Sequence, residues 1–296
     1  MQDKDTTATF RDTGTLTTIW KLFRQDKVAL ASFYLFLLFI LTAIFSPFIA
    51  PYSSDAQFVG FELMPPSWVN GGKIAYFFGT DDIGRDVLSR LITGARYTLG
   101  SGLIVVIFTA FLGGIMGILA GMSQGIKSRI LGHFLDAFLS TPILLIAIII
   151  ATLMQPSLIN AMLAITLALL PHFIHEIYQA IQKELKKEYV LMLRLEGASN
   201  WILLKEAIFP NIWVKYIQEI TRAFAIAILD ISALSFISLG AQSPIPEWGV
   251  MIKDSLELIY LAPWTVILPG LAIMVVILIA LLLGNGVNKA IERYYE

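Results

Sequence analysis

The sequence predicts an all-α protein that crosses a membrane six times. Three observations predict it. Apolar residues fill 57% of the 296 positions and charged residues only 15%, with a mean hydropathy of +0.75; a soluble domain carries about 25% charged residues. The apolar residues gather in blocks near the roughly 20 residues that a helix needs to cross a bilayer. Lys and Arg collect in alternate connections between those blocks, the pattern of a polytopic protein with a cytoplasmic excess of positive charge.

In chain order, residues 1–27 are polar and basic and are expected to be a cytoplasmic segment. Val28–Ala50 follows as the first span, too long for the apolar region of a cleaved signal peptide. The external connection, 51–97, begins turn-rich and ends in an expected amphipathic helix. Thr80 or Asp81 would cap it, Asp82 would sit in its first turn, and Val87, Leu88, Leu91 and Ile92 would line one face up to Gly94. Leu99–Met122 is the second span. Its Gly113, Gly117 and Gly121 recur every fourth residue, the spacing that lets helices approach closely in lipid. Phe134–Met154 is the third, with Asp136 near its inner end. Leu158–Ile177 is the fourth and carries His172, His175 and Glu176 toward its end. Ile212–Leu239 is the fifth, with Lys215, Glu219, Arg222 and Asp230, and Pro263–Leu283 is the sixth. The polar residues of the fourth and fifth blocks are expected to project beyond the hydrocarbon. Residues 98–284 thus form a five-span core, and 285–296 a cytoplasmic tail.

An N-terminus inside the cell places fourteen Lys and Arg in the internal segments and five (Lys73, Arg85, Arg90, Arg96 and Lys253) outside. Both termini are therefore expected to be cytoplasmic. The internal connection 179–211 is charged as far as Glu188 and then mixes leucines with Arg194, Glu196 and Lys205. It predicts two short helices across the membrane surface, joined near Gly197–Asn200 and stopped at Pro210. Leu191, Leu195, Trp201 and Leu204 exceed what a solvated loop needs, so helix ends or a partner protein must cover them. Glu184, Lys186 and Lys187 are either polar contacts to that partner or a solvated face.

Several chemistries are excluded or disfavoured. The chain has no cysteine, hence no disulfide and no thiolate metal site. A net charge of −1 points to no nucleic-acid partner. Gly113-Gly114 lacks the Lys-Ser/Thr of a phosphate loop, and no ATPase motif is present. Adjacent Asp81 and Asp82 diverge too far on a helix to chelate a metal, so local capping and anchoring is the better reading of Asp81, Arg85, Asp86, Arg90 and Arg96. His172, His175 and Glu176 lack a zinc-binding pattern and are read as a polar helix end. Asp230 stands alone among Ala, Ile and Leu in the middle of its block. A carboxylate there is expensive in lipid and should face a cavity, a partner or a path. No cofactor or metal is expected in this chain.

Two motifs carry a family resemblance. The first is Gly79-Thr80-Asp81, Gly84-Arg85-Asp86, Ser89-Arg90, Gly94 and Arg96. The second surrounds Gly197, with Tyr189-Val190 before it, Gly197-Ala198-Ser199 at the turn and Pro210-Asn211 after it; Leu191, Met192 and Leu193 stand where Glu-Ala-Ala is usual. Pro246-Glu247-Trp248-Gly249 and Pro263-Trp264 add to it. On these residues the chain resembles the C-type permease subunits of dipeptide, oligopeptide, nickel and antimicrobial-peptide (Sap) ABC importers, with the Sap branch nearest. The resemblance implies the type I ABC importer permease fold in a bacterial inner membrane and no enzymatic activity in this chain. It implies a homologous second permease subunit, two ATPase subunits that use ATP-Mg, and a periplasmic binding protein. It further implies ATPase coupling through Tyr189, Leu193, Gly197, Ala198, Ser199, Trp201 and Pro210, and cationic or other oligopeptides as cargo. Asp230, where the family usually carries an uncharged or different residue, is expected to contact cationic cargo. The competing readings are an ion-coupled secondary carrier using Asp230 and the histidines, and a non-transporting scaffold; no repeat with matched broken helices supports the carrier.

Overall fold

The computed structural model describes residues 15–123, 135 and 139–295. Among these, regular structure is helical apart from two isolated bridges, Gln57 with Arg85 and Thr80 with Asp86. The helices are α1 Thr15–Gln25, α2 Lys27–Ile49, α3 Val87–Met122, α4 Ile143–Thr152, α5 Leu158–Glu184, α6 Glu188–Leu195, α7 Asn200–Ile202, α8 Phe209–Phe236, α9 Trp248–Ser255 and α10 Trp264–Tyr295. Four of them, α2, α3, α5 and α10, are long and apolar enough to cross a membrane. α4 contributes ten apolar residues; part of the predicted third span, Asp136 included, lies outside the described residues, as do Lys127 and Arg129. α8 is 28 residues long but carries four ionisable groups.

Three expectations about boundaries are corrected. Neither Thr80 nor Asp81 caps the helix before the second span. That helix begins at Val87, where Asp86 in extended conformation accepts the Ser89 N–H, and it runs unbroken through Gly94. Gly94 serves close approach instead of termination: a Cβ there would meet the Trp248 ring at 2.7 Å. At the N-terminus, 15–25 forms helix α1, with Phe23 buried against Ala29 and Ala290. Asp26 then turns the corner, its carboxylate accepting the N–H groups of Val28 at 2.9 Å and Ala29 at 3.1 Å to cap α2. The expected tail at 285–296 is helical through Tyr295 as the end of α10.

Pro210 does not stop the second internal helix. α7 continues through a π-helical stretch, Leu203–Ile208, directly into α8, with Pro210 in the first turn of α8. The wider π turn relieves the clash between a proline ring and the carbonyl one α-turn back, so the rod survives the missing N–H. One continuous helix therefore joins the surface segment to the fifth predicted span.

Glycine contacts set the relative register. Gly113, Gly117 and Gly121 of α3 lie against Phe173, Ile177 and Ile181 of α5, pairs a constant sixty positions apart, so the two helices run parallel. A Cβ at any of the three would come within 2.9 Å of its partner. α8 runs the other way, with Gly102 against Ile228, Gly114 against Tyr216, and the Tyr216 hydroxyl donating to Ala110 O at 2.7 Å. α10 starts beside Thr80, to whose carbonyl Trp264 Nε1 donates at 3.2 Å, and ends with Gly286 against Ala29 at the start of α2. α3, α5 and α10 thus run one way and α8 the other, with α1 and the end of α10 at the same end of the bundle.

Candidate functional site

At the end where α3 begins, the Gly79–Arg96 motif builds a buried ionic knot. Asp81 accepts the Arg85 N–H at 2.8 Å and Arg85 Nε at 2.6 Å, and lies 3.8 Å from Arg90 Nε. Asp86 takes both the N–H (2.8 Å) and the hydroxyl (2.6 Å) of Ser89, whose Oγ in turn accepts the Tyr52 N–H at 3.0 Å. Thr80 donates its hydroxyl to Phe61 O and accepts the Met64 N–H. Arg90 reaches Ser54 O at 3.2 Å. Gly84 holds φ +78°, where a side chain would also strike Phe58. Asp81, Arg85, Asp86 and Arg90 are all no more than 5% exposed. Burial pushes the Asp86 carboxyl above its ordinary range, against the pull of its Ser89 bonds. This is a clamp that folds 52–64 onto the start of α3; Arg96 lies outside it, exposed.

A second knot was not anticipated as a site. Glu247, fully buried, accepts the hydroxyls of Thr98 (3.0 Å) and Ser232 (2.9 Å) and, as the cap of α9, the Val250 N–H at 3.2 Å. Trp248 donates its ring N–H to Leu91 O at 3.0 Å. The pair pins α9 between α3 and α8. Its only trace in the sequence is the Pro246–Gly249 motif, which does not say what the carboxylate meets.

At the opposite end, Gly197 holds φ +88° between α6 and α7, a left-handed turn that a β-branched residue resists. Ser199 caps α7, accepting the Ile202 N–H at 3.4 Å. Of the predicted coupling residues, Leu193 and Ala198 pack inward on the core, whereas Trp201 is 70% exposed, as are Leu195 (88%) and Met192 (63%) beside it. Tyr189 points under the helix. Its hydroxyl donates to Glu184 and accepts from Asn211 Nδ2 at 3.0 Å, while Asn211 also donates to Ala207 O at 2.6 Å. The end of α5, the start of α6 and the start of α8 are thereby tied at one point, with Lys187 completing it 2.9 Å from Glu184. Partial desolvation of the phenol and its bond to the Glu184 carboxylate raise the Tyr189 pKa well above that of free tyrosine. A polar cavity of about 690 Å³ opens here, lined by Lys183, Glu184, Lys187, Glu176 and Lys215. An apolar groove of about 650 Å³ lies between Leu119, Met122, Trp201 and Phe209.

Between the two ends, the ionisable residues of the fourth and fifth blocks meet each other. His172 and Glu176 are not a helix end: α5 runs on to Glu184, and Phe173, between them, sits on Gly113 in the interior of the second apolar block. Lys215 of α8 bonds Glu176 of α5 at 2.7 Å and Glu219 at 2.8 Å. His172, Glu219 and Arg222 line one small crevice with Phe173 and Ala223. Asp230 is 4% exposed and its Oδ2 has no hydrogen-bond partner among the described residues. It lies two residues beyond Ile228, which faces Gly102, and so stands level with the Leu99 end of the second apolar block.

Residues 113–293 match the family model of the binding-protein-dependent transport system inner membrane component, and 15–66 match that of the N-terminal TM domain of oligopeptide transport permease C. The chain belongs to this family of transport-system inner-membrane components. It is a transport subunit, not an enzyme. It is 63% identical over 296 residues to the peptide transport system permease protein SapC of Haemophilus influenzae, covering 100% of both chains. It is 49% identical over 281 residues to SapC of Escherichia coli O6:H1, 95% of each. It is 39% identical over 273 residues to the dipeptide permease DppC of Escherichia coli K12, covering 92% of this chain and 91% of that one. Among solved structures, an inward-facing MetNI methionine ABC transporter chain superposes with a TM-score of 0.53 at 13% identity, over 68% of this chain and 95% of that one, a likeness of fold.

Proposed function

We propose that this chain is the permease subunit of an ATP-driven peptide importer in a bacterial inner membrane, with six spans and both termini cytoplasmic. It supplies half of the translocation path beside a homologous second permease. Two ATPase subunits dock on the coupling helices of the two permeases, α6 and α7 in this chain, and hydrolyse ATP-Mg, and a periplasmic binding protein delivers cationic or other oligopeptides at the α3 start. The observation that carries this reading is the surface segment around Gly197: exposed Met192 and Leu195 of α6 lie across the Gly197 turn from exposed Trp201, which stands on a helix continuous with α8. A force applied to that apolar face moves a membrane-level helix as a rigid lever, while the Tyr189–Glu184–Asn211 tie keeps α5 with it. The clamp at Asp81 supports a fixed outer platform, and Asp230 a polar point near the outer mouth.

The test is mild solubilisation of the tagged chain from its native background, followed by mass spectrometry. Recovery of a second permease and ATPase subunits, lost when Trp201 and Leu195 are changed to Glu, supports the reading. Recovery of the chain alone, with uptake driven by an ion gradient, supports an ion-coupled carrier instead; recovery alone with no uptake supports a scaffold.

A further inference from the structure

Arg222 presents a problem for any lipid-facing helix. It is six residues from both Tyr216 and Ile228, whose partners on α3, Gly114 and Gly102, lie six residues either side of Phe108. Arg222 is therefore level with Phe108, near the middle of the Leu99–Met122 apolar block. Yet it is exposed, and among the described residues no carboxylate lies within 4.0 Å of it. A guanidinium facing lipid at that depth costs on the order of 3 kcal/mol even on insertion scales, so this arc of α8 does not face lipid. The same arc leads down a continuous polar seam: the crevice of His172, Glu219 and Arg222 adjoins the Lys215–Glu176 pair, which lines the 690 Å³ cavity at the internal end. An interface between two subunits needs no such cavity; a path does.

We infer that the seam between α5 and α8 is the cargo-facing surface of this subunit, and that Arg222 is its specificity-determining residue for a peptide carboxylate. The inference rests on the peptide-import reading. A free guanidinium with five donors in a planar fork takes a carboxylate in two parallel bonds, a match that an amide cannot reproduce. His172, in the same crevice, adds a second polar contact, and Glu219 beside it keeps the site from holding an anion too tightly to release.

The test uses the complete complex with its ATPases and binding protein in proteoliposomes, and one lysine-rich octapeptide made as the free acid and as the C-terminal amide. The binding protein's own affinity for each form is measured separately, and uptake is compared at saturation. The wild-type complex is expected to carry the free acid about tenfold faster than the amide. R222Q should bring the ratio to about 1 by slowing only the free acid, and R222K should keep most of the preference. A ratio unchanged in R222Q overturns the inference while leaving ATP-driven uptake intact. Loss of the copurifying second permease in R222Q also overturns it, marking the arc as a subunit interface. A wild-type complex that takes up neither peptide with ATP sinks the import reading and this inference together.

Discussion

Asp81 holds two guanidinium groups that are themselves out of solvent, Arg85 at 2.6 Å and Arg90 at 3.8 Å. Asp81→Ala leaves both buried and short of a counter-charge, a change worth about 3–5 kcal/mol. The expected outcome is a large drop in the yield and melting temperature of detergent-solubilised protein, measured by thermal-shift fluorescence, with Arg96→Ala, outside the clamp, without effect. Asp230 has the opposite character: it is buried with one oxygen unpartnered, so it contributes little to holding the fold. Asp230→Asn should leave the melting temperature within about 1 kcal/mol equivalent of wild type and slow uptake of lysine-rich peptides severalfold relative to neutral ones. Unchanged uptake of both would remove Asp230 from the path. At this scale the sequence carried the Asp81–Arg85 pair, four residues apart, but it put the cap at Thr80 or Asp81 instead of Asp86 and grouped Arg96 with the cluster, because the ties to Tyr52 and Ser54 come from more than thirty residues away. It was silent on Glu247, whose partners Thr98 and Ser232 come from two other helices.

Helix α9 depends on Glu247 for its cap and for its seat between α3 and α8. Glu247→Ala strands two buried hydroxyls and an N–H, each costing about 1–3 kcal/mol, whereas Glu247→Gln keeps an acceptor oxygen. Limited proteolysis near residue 250 should be fast in the alanine variant and slow in the glutamine variant. On α3, Gly117→Val places a branched Cβ where Ile177 Cβ is 2.8 Å away. Overpacking of this kind costs about 1–3 kcal/mol, and the expected result is lower thermal stability, partly restored by Ile177→Ala. Glycine periodicity pointed to that packing, since small residues every fourth position mark a helix contact wherever they fall. Helix ends were harder. Gly94 and Pro210 are usual terminators, but here one accommodates the Trp248 ring and the other is absorbed by a π turn, both facts of tertiary packing. The His172–Glu176 group was placed too near an end for the same reason: only the meeting of α5 with α8 gives those charges partners inside the block.

For the whole molecule, the packing of Phe23 on Ala29 and Ala290 places α1 and the end of α10 on one side. The excess of Lys and Arg there is the basis for proposing that this side is cytoplasmic. The chain has no cysteine, so single cysteines can report topology without background. Cysteines at Gln25 and Glu292 should react with an impermeant maleimide only after the inner membrane is opened, and one at Val59 should react in spheroplasts. Labelling of position 25 in intact spheroplasts would invert the proposed orientation. The membrane class followed from composition, which is summed over many residues and tolerates local error. Which faces of those spans meet could not follow, because it depends on the register between helices.

The central claim is that this subunit works in an importer driven by ATP. The most direct measurement is uptake of a labelled oligopeptide into proteoliposomes holding the purified complex, with its binding protein outside and ATP inside. Uptake is expected to need internal ATP, to persist when proton and sodium gradients are collapsed, and to be lost when the apolar face of α6 and α7 carries Leu195→Glu and Trp201→Glu. Uptake that ignores ATP and follows an imposed ion gradient would contradict it.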